Sequence, residues 1–167
     1  SLAGQTVGAA LVMDFSKYVS HILDLDVEGQ TVTVEPGINV NALNMQLRPT
    51  GLMFGPDPAS AERATAGGIV GNNSTGSHSI LYGMTGDNVM RARAAMADGT
   101  VLELGPTTPQ AMTGLAGRDD GQGRLYAELL AFRERYAGLI ERDFPRHWRR
   151  ATGYSLDQLI KPDDQFN

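Results

Sequence analysis

Residues 55–76, GPDPASAERATAGGIVGNNSTG, decide how this chain is read. They concentrate Gly, Pro, Asn, Ser and Thr where a packed element would carry large apolar side chains. Gly67, Gly68, Gly71 and Gly76 allow close backbone approach or positive φ. Ser60, Thr65, Asn72, Asn73, Ser74 and Thr75 add small hydrogen-bonding groups beside that backbone. Such a stretch suits a large ligand with phosphates and ring edges, because backbone N–H groups in glycine-rich loops and at helix starts bind anions. The competing reading is a tight connection that merely needs small residues. Neither GxxxxGK[ST] nor a strand–GxGxxG–helix is present, so the common nucleotide-loop motifs do not apply.

Working outward, SLAGQTVG at 1–8 is a second loop of the same character, with Ser1, Gly4 and Gln5 ahead of an apolar run. Two such loops in one chain point to a shared ligand, against the plainer reading of a frayed terminus. Gly8–Phe15 (GAALVMDF) reads as a buried strand, and Ser16–His21 as one helical turn capped by Ser16. ILDLDVEGQTVTVEPG gives two short strands about Glu28-Gly29-Gln30, with Val32 and Val34 alternating against Thr31, Thr33 and Glu35. Asn39 caps a helix through Val40, Leu43, Met45 and Leu47, stopped by Pro49 and Gly51. A short helix follows from about Thr65 to Asn72.

VMRARAAMADGTVLEL, turning at Asp98-Gly99, carries a hairpin signature. Met90, Ala92, Ala94 and Met96 fall on one face of its first strand; Val89, Arg91, Arg93 and Ala95 fall on the other. Beyond Pro106, Leu125, Leu129, Phe132, Tyr136 and Ile140 follow helical spacing, with Glu128, Arg133, Glu134, Arg135 and Glu141 outside; Pro145 ends that helix. SLDQLI, capped by Ser155, forms a last short helix. Strands first, a hairpin in the middle and helices late describe an α+β domain.

Composition narrows the function. The chain has 167 residues, enough for one domain with a core. Its net charge of −5 argues against nucleic acid and anionic membrane as partners. No apolar run is long enough for a transmembrane helix, and the N-terminal stretch lacks signal-peptide features. With no Cys, neither disulfides nor iron–sulfur ligation can reside in this sequence. His21, His78 and His147 lack metal-ligand spacing, so no metal site is expected. Ser74 or Ser77 with His78 would be needed for a hydrolase, but there is no GxSxG elbow and neighbouring residues point apart. Asp14, Asp24, Asp26, Asp57 and Asp87 sit mostly at element ends, where carboxylates solvate or cap turns. The basic run RDFPRHWRR, with Arg142, Arg146, His147, Trp148, Arg149 and Arg150, reads as a solvated or interdomain face. The chain starts without Met and ends at KPDDQFN without a stop signal, so a piece of a longer protein is expected.

SLAGQTVG, LVMDFSKYVSHILDLD, TVEPG, GLMFGPDPAS, ATAGGIVGNNSTGSHSILYG and MADGTVLELG, in that order, resemble the FAD-binding domain of the vanillyl-alcohol oxidase/PCMH type. Within it they are most similar to the glycolate oxidase D-subunit and D-lactate/D-2-hydroxyglutarate dehydrogenase branch. PDPAS, GNNSTGSHSILYG and TGYSLDQL look most like the large members fused to an iron–sulfur module. The resemblance is strong over 1–105 and looser over 120–160. It implies a partial PCMH-type domain with a mixed or antiparallel sheet and flanking helices. Residues 1–37 would end its first subdomain, and 38–167 would be an incomplete second one.

By the same resemblance, Ser1, Gly4 and Gln5 end the pyrophosphate loop, Pro58 and Ser60 pass beside the flavin, Thr65, Gly67 and Gly68 form the T-x-G-G turn, and Asn73, Ser74 and Gly76 the following stretch. Backbone amides would meet the FAD pyrophosphate and ring edges. The family's R-G-x-G-T run would lie upstream of Ser1, its G-S-E-G-T-L-G stretch beyond Asn167, and its substrate domain elsewhere. The resemblance thus implies half a flavin site, an isolated fragment without activity that can lose FAD, and no catalytic residue here. The whole protein would oxidise a D-2-hydroxy acid and pass electrons to an iron–sulfur module. It would be cytoplasmic, peripheral to the inner membrane face at most. A non-catalytic nucleotide- or partner-binding module and a cell-wall-precursor reductase on the same fold are the alternatives.

Overall fold

In a computed structural model, residues 8–148 and 154–160 can be described. They form two compact units, Ser1–Val89 and Met90–Asn167, taken separately below. Ser1, Gly4, Gln5, Arg149 and Arg150, singled out in the sequence, lie outside the described residues.

The first unit is built on β1 (Ile22–Asp26) and β2 (Thr31–Val34), an antiparallel hairpin with Leu25 opposite Val32 and Ile22 opposite Val34. The Asp26 carboxylate accepts from the Gly29 amide at 2.8 Å and Gln30 turns left-handed at φ 52°, which reverses the chain where the sequence placed its turn. The alternating valines face inward with Ile22 and Leu25. Against them pack Ile38, Leu43 and Leu47, all nearly inaccessible, together with Leu52, Phe54 and Ala66. Leu43 and Leu47 belong to α1 (Val40–Leu47), four residues apart on its buried face. The Asn39 side chain caps α1 by accepting from Ala42 N at 3.1 Å, as the sequence predicts. A 3₁₀ turn over Arg48–Thr50 and left-handed Gly51 end it.

Two expectations fail here. Gly8–Phe15 is not a buried strand: it is irregular, and Leu11 is 90 % exposed. An apolar run becomes a strand only where a partner answers its backbone, and among the described residues none does. Ser16 begins a turn rather than a helix, with Val19 N donating to Phe15 O at 3.2 Å. Ser16 does not cap it; Asp14 accepts from both the amide and the hydroxyl of Ser16, which holds the Asp14 carboxyl below its usual range.

Continuing along the first unit, α2 (Ala66–Gly71) and α3 (Ser79–Tyr82) are short helices, followed by a 3₁₀ turn over Thr85–Asn88.

The second unit opens with the hairpin of β3 (Ala92–Ala95) and β4 (Val101–Leu104), shorter than the sequence suggested but turning at Asp98-Gly99. Ala92 and Ala94 pair with Leu104 and Leu102, whereas exposed Arg93 faces Glu103 at 3.3 Å, an ion pair of little energetic weight. The helical region is two helices, α4 (Pro109–Ala116) and α5 (Gly121–Asp143). Thr108 caps α4 and Pro109 occupies its first turn, where a missing N–H costs nothing. Met112 on α4 and Tyr126 on α5 form the buried contact, with Leu115, Ala116, Leu129, Leu130 and Leu159 around them. Leu156–Ile160 is a 3₁₀ turn rather than an α-helix.

Asp120 caps α5, accepting from Gly123 N at 2.8 Å, and also receives the Arg118 guanidinium. The Gly123 amide first, then Arg118, holds its carboxyl below the usual 3.8. A carboxyl lowered by folding stabilises the fold above its unfolded pKa and loses that contribution as pH falls through the folded value. Asp120→Asn keeps a capping oxygen but no charge. Wild type should therefore melt higher than the variant near neutrality, and the gap should close below about pH 4. Thermal melts of both chains across pH would check this; a gap constant with pH would refute it.

Candidate functional site

The glycine-rich stretch lies wholly in the first unit, held from three directions. Thr65 sits at the start of α2, preceded by the Ser60 turn in which Arg63 N and Ala64 N both donate to Ser60 O. Asn39 and Thr65 form a β-bridge, so the two helix starts are side by side. The amides of Ala66 and Gly67 donate to the carbonyls of Ile38 and Pro36 at 2.9 and 2.8 Å. Those donors are spent inside the protein and do not face a ligand. Gly67 is glycine for a packing reason: a Cβ there would lie 2.9 Å from Pro36 Cβ.

Gly76 shows this more sharply. It is buried, and a Cβ would stand 1.7 Å from Asp57 O and 2.4 Å from Pro56 O. Ser77 N donates to Asp57 O at 3.3 Å, zipping 76–77 onto 56–57. Pro58 is buried at this junction while Ser60 is exposed. Asn73 takes the left-handed region at φ 47°, uncommon for a residue other than glycine but tolerated by Asn. Its side-chain oxygen accepts from Gly86 N at 2.7 Å. Ser74 O accepts from both the amide and the hydroxyl of Thr85, at 3.0 and 2.8 Å. Thr65, Gly67, Gly68, Asn73, Ser74 and Gly76 thus lie along one continuous loop–helix–loop, with Pro56 and Asp57 packed against its far end.

Beside Thr65 is an open cavity of about 460 Å³, lined by Ser16, Ser20, Gly37, Asn39, Glu62 and Arg63 among others. That volume falls in the roughly 300–1,000 Å³ range of small-molecule sites. Its wall mixes apolar Ile38 and Ala42 with Ser16, Ser20, Asn39 and Thr65, and carries one residue of each charge, Glu62 and Arg63. Gly37, Asn39 and Arg63 carry no site signal in the sequence. The P-G at 36–37 reads locally as a strand stop and Asn39 as a cap, and only tertiary folding puts them on one wall.

A second, smaller groove of about 350 Å³ is bounded by Met53, Ser77, His78, Ile80, Leu81 and Tyr82. Here Ser77 Oγ donates to Asp57 Oδ2 at 2.9 Å, and His78 Nδ1 is 3.5 Å from the same oxygen. A carboxylate thus stands between hydroxyl and imidazole, so Ser77 and His78 are not a nucleophile–base pair. Of the other acidic residues, Asp14, Asp26 and Asp87 do turn work, accepting from the amides of Ser16, Gly29 and Met84, whereas Asp24 lies mid-strand in β1 rather than at an element end. In the basic run, Arg142 pairs with Asp143 and Arg146 donates to Glu141 O, as a solvated face would. Among the described residues no group of three potential ligands could hold a metal, and no helix is long and apolar enough to cross a membrane.

Comparison with known proteins gives this geometry its context. The D-2-hydroxyglutarate dehydrogenase of Pantoea ananatis (strain AJ13355) is 32 % identical over 162 residues, covering 97 % of this chain and 16 % of that protein. The enzyme of the same name from Escherichia coli (strain K12) is 31 % identical over 160 residues, 96 % of this chain and 16 % of that protein. Glycolate oxidase subunit GlcD of Bacillus subtilis (strain 168) is 34 % identical over 89 residues, 53 % of this chain and 19 % of that protein. The chain thus spans about one-sixth of the length of the first two relatives. Residues 1–105 match the family described as FAD binding domain, the stretch that contains both small-residue loops, the cavity wall and the Asn73–Gly76 turn; the chain belongs to that FAD-binding domain family.

Proposed function

We propose that this chain is the FAD-holding part of a dehydrogenase that oxidises a D-2-hydroxy acid and passes the electrons to an iron–sulfur module. One observation carries the substrate class. The D-2-hydroxyglutarate dehydrogenases align over 96–98 % of the chain, whereas the glycolate oxidase subunits and a mitochondrial D-lactate dehydrogenase align over 53–59 %. The later region, including TGYSLDQL, favours the D-2-hydroxyglutarate group.

The residues present fit part of a flavin dinucleotide. The cavity beside Thr65, with Arg63 on its wall, would take a phosphate-bearing portion, and Ser60 and Gly68 would follow along the cofactor. Asn73, Ser74 and Gly76 would form a fixed turn beside the ring system, with Pro58 behind them. Ser1, Gly4 and Gln5 would close the pyrophosphate from the other loop. Residues 1–37 and 38–167 would belong to two subdomains of the whole cofactor domain. FAD supplies the hydride-accepting chemistry when bound, and the chain's task is to hold and orient it. Without cysteine, the chain leaves cluster ligation to another part of the protein or a partner. The isolated chain would be inactive.

The test uses the full-length protein. Its visible spectrum should show flavin absorption, and anaerobic D-2-hydroxyglutarate should bleach it faster than D-lactate or glycolate. A cluster signal should then appear by electron paramagnetic resonance. Protein without flavin would overturn the reading in favour of a binding module; flavin that none of the three acids bleaches would overturn the dehydrogenase assignment.

A further inference from the structure

Apart from the Tyr126 ring, the buried polar side chains among the described residues are Ser79 and Thr85, 2 % and 0 % exposed. Both are committed to the same short loop, one at each end. Ser79 Oγ accepts from Gly76 N at 3.0 Å and reaches Pro56 O at 3.4 Å. Thr85 Oγ1 donates to Ser74 O at 2.8 Å, beside its own amide at 3.0 Å. Buried polar groups that are fully satisfied fix one conformation at the cost of desolvation, and here the conformation is an uncommon one. Asn73 at φ 47° is retained between Ser74, clasped by Thr85, and Gly86, whose amide binds the Asn73 side chain. The 3₁₀ turn carrying Thr85 and Gly86 is itself braced. Asp87 Oδ2 accepts from Met84 N at 2.8 Å, and Asn88 Nδ2 donates to the carbonyls of Tyr82 and Met84 at 2.9 Å each.

We infer that Ser79 and Thr85 are positioning residues for the cofactor, setting the backbone of Asn73–Gly76 from behind without touching the ligand. The inference rests on the FAD reading above. It predicts that what matters at 85 is the hydroxyl, which reaches Ser74 O, more than the methyl. In full-length protein, Thr85→Val should weaken FAD binding roughly tenfold, the loss of one buried hydrogen bond, and change the circular dichroism of the bound flavin. Thr85→Ser keeps the hydroxyl and should match wild type in both. Ser79→Ala should shift the flavin signal in the same way, and carries the test if the valine variant fails to accumulate.

Equal affinity and an unchanged flavin signal in Thr85→Val would overturn the inference while leaving the FAD reading standing. Equal damage in Thr85→Ser would also overturn it, since packing rather than the hydroxyl would then be at work. A wild-type protein that binds no flavin would remove both.

Discussion

Gly76→Ala should leave the chain with its denaturant midpoint sharply lowered and the full-length protein without flavin. The added methyl would stand 1.7 Å from Asp57 O, with Pro56 O at 2.4 Å. The obstacle is backbone, not the end of a flexible side chain. Asp57 is already left-handed at φ 49°, and its carbonyl is held by Ser77 N at 3.3 Å. Relief therefore requires separating 55–58 from 74–79, breaking that bond and displacing the Ser79 hydroxyl shared by Gly76 and Pro56. Overpacking of this kind commonly costs about 1–3 kcal/mol, and a backbone clash belongs at the upper end or beyond. Urea titration followed by circular dichroism would measure it. An unchanged midpoint would mean the two segments are not zipped as described.

Ile38→Ala should be the most damaging truncation in the first unit, costing about 2–5 kcal/mol. Ile38 is 1 % exposed and joins Leu43 and Leu47 to the inward residues of the hairpin and to Ala66. Its carbonyl receives Ala66 N at 2.9 Å, so the residue ties the start of α2 to the core through both side chain and backbone. A cavity there would loosen the cavity wall as well as the core, because Ile38 also lines the space beside Thr65. Set against a typical total of about 5–15 kcal/mol, the loss is a large fraction of stability. The same urea titration would detect it, and a loss under 1 kcal/mol would place the core elsewhere.

How far the sequence could be read depended on whether a signal was local. The first hairpin is legible because Val32 and Val34 alternate with threonines and Glu28-Gly29-Gln30 marks a turn before them. α1 was legible because Asn39 caps it within its own turn. The Gly8–Phe15 run misled because apolar character alone does not supply a strand partner. On α5 the aromatic residues read as core, and Tyr126 is the one set most deeply against Met112, although helical spacing alone points equally to the neighbouring Leu125. At the site, the small residues were visible but their division of labour was not. Gly67 and Gly76 look like ligand glycines, yet close contacts within the protein account for their lack of a side chain. Thr85 gave no signal, since its bond to Ser74 spans 11 residues of chain.

The two hairpins have one more consequence. Among the described residues each sheet has only two strands, so every strand has a pairing edge unmet by another described strand. A lone hairpin is marginally stable, and an open edge is a template for any other extended chain. β1 carries Asp24 and Asp26, charges that discourage such pairing, whereas β3 offers alanines on either side of Arg93. Of these two strands β1 is the better guarded against edge pairing, with two carboxylates, while on β3 that work falls to Arg93.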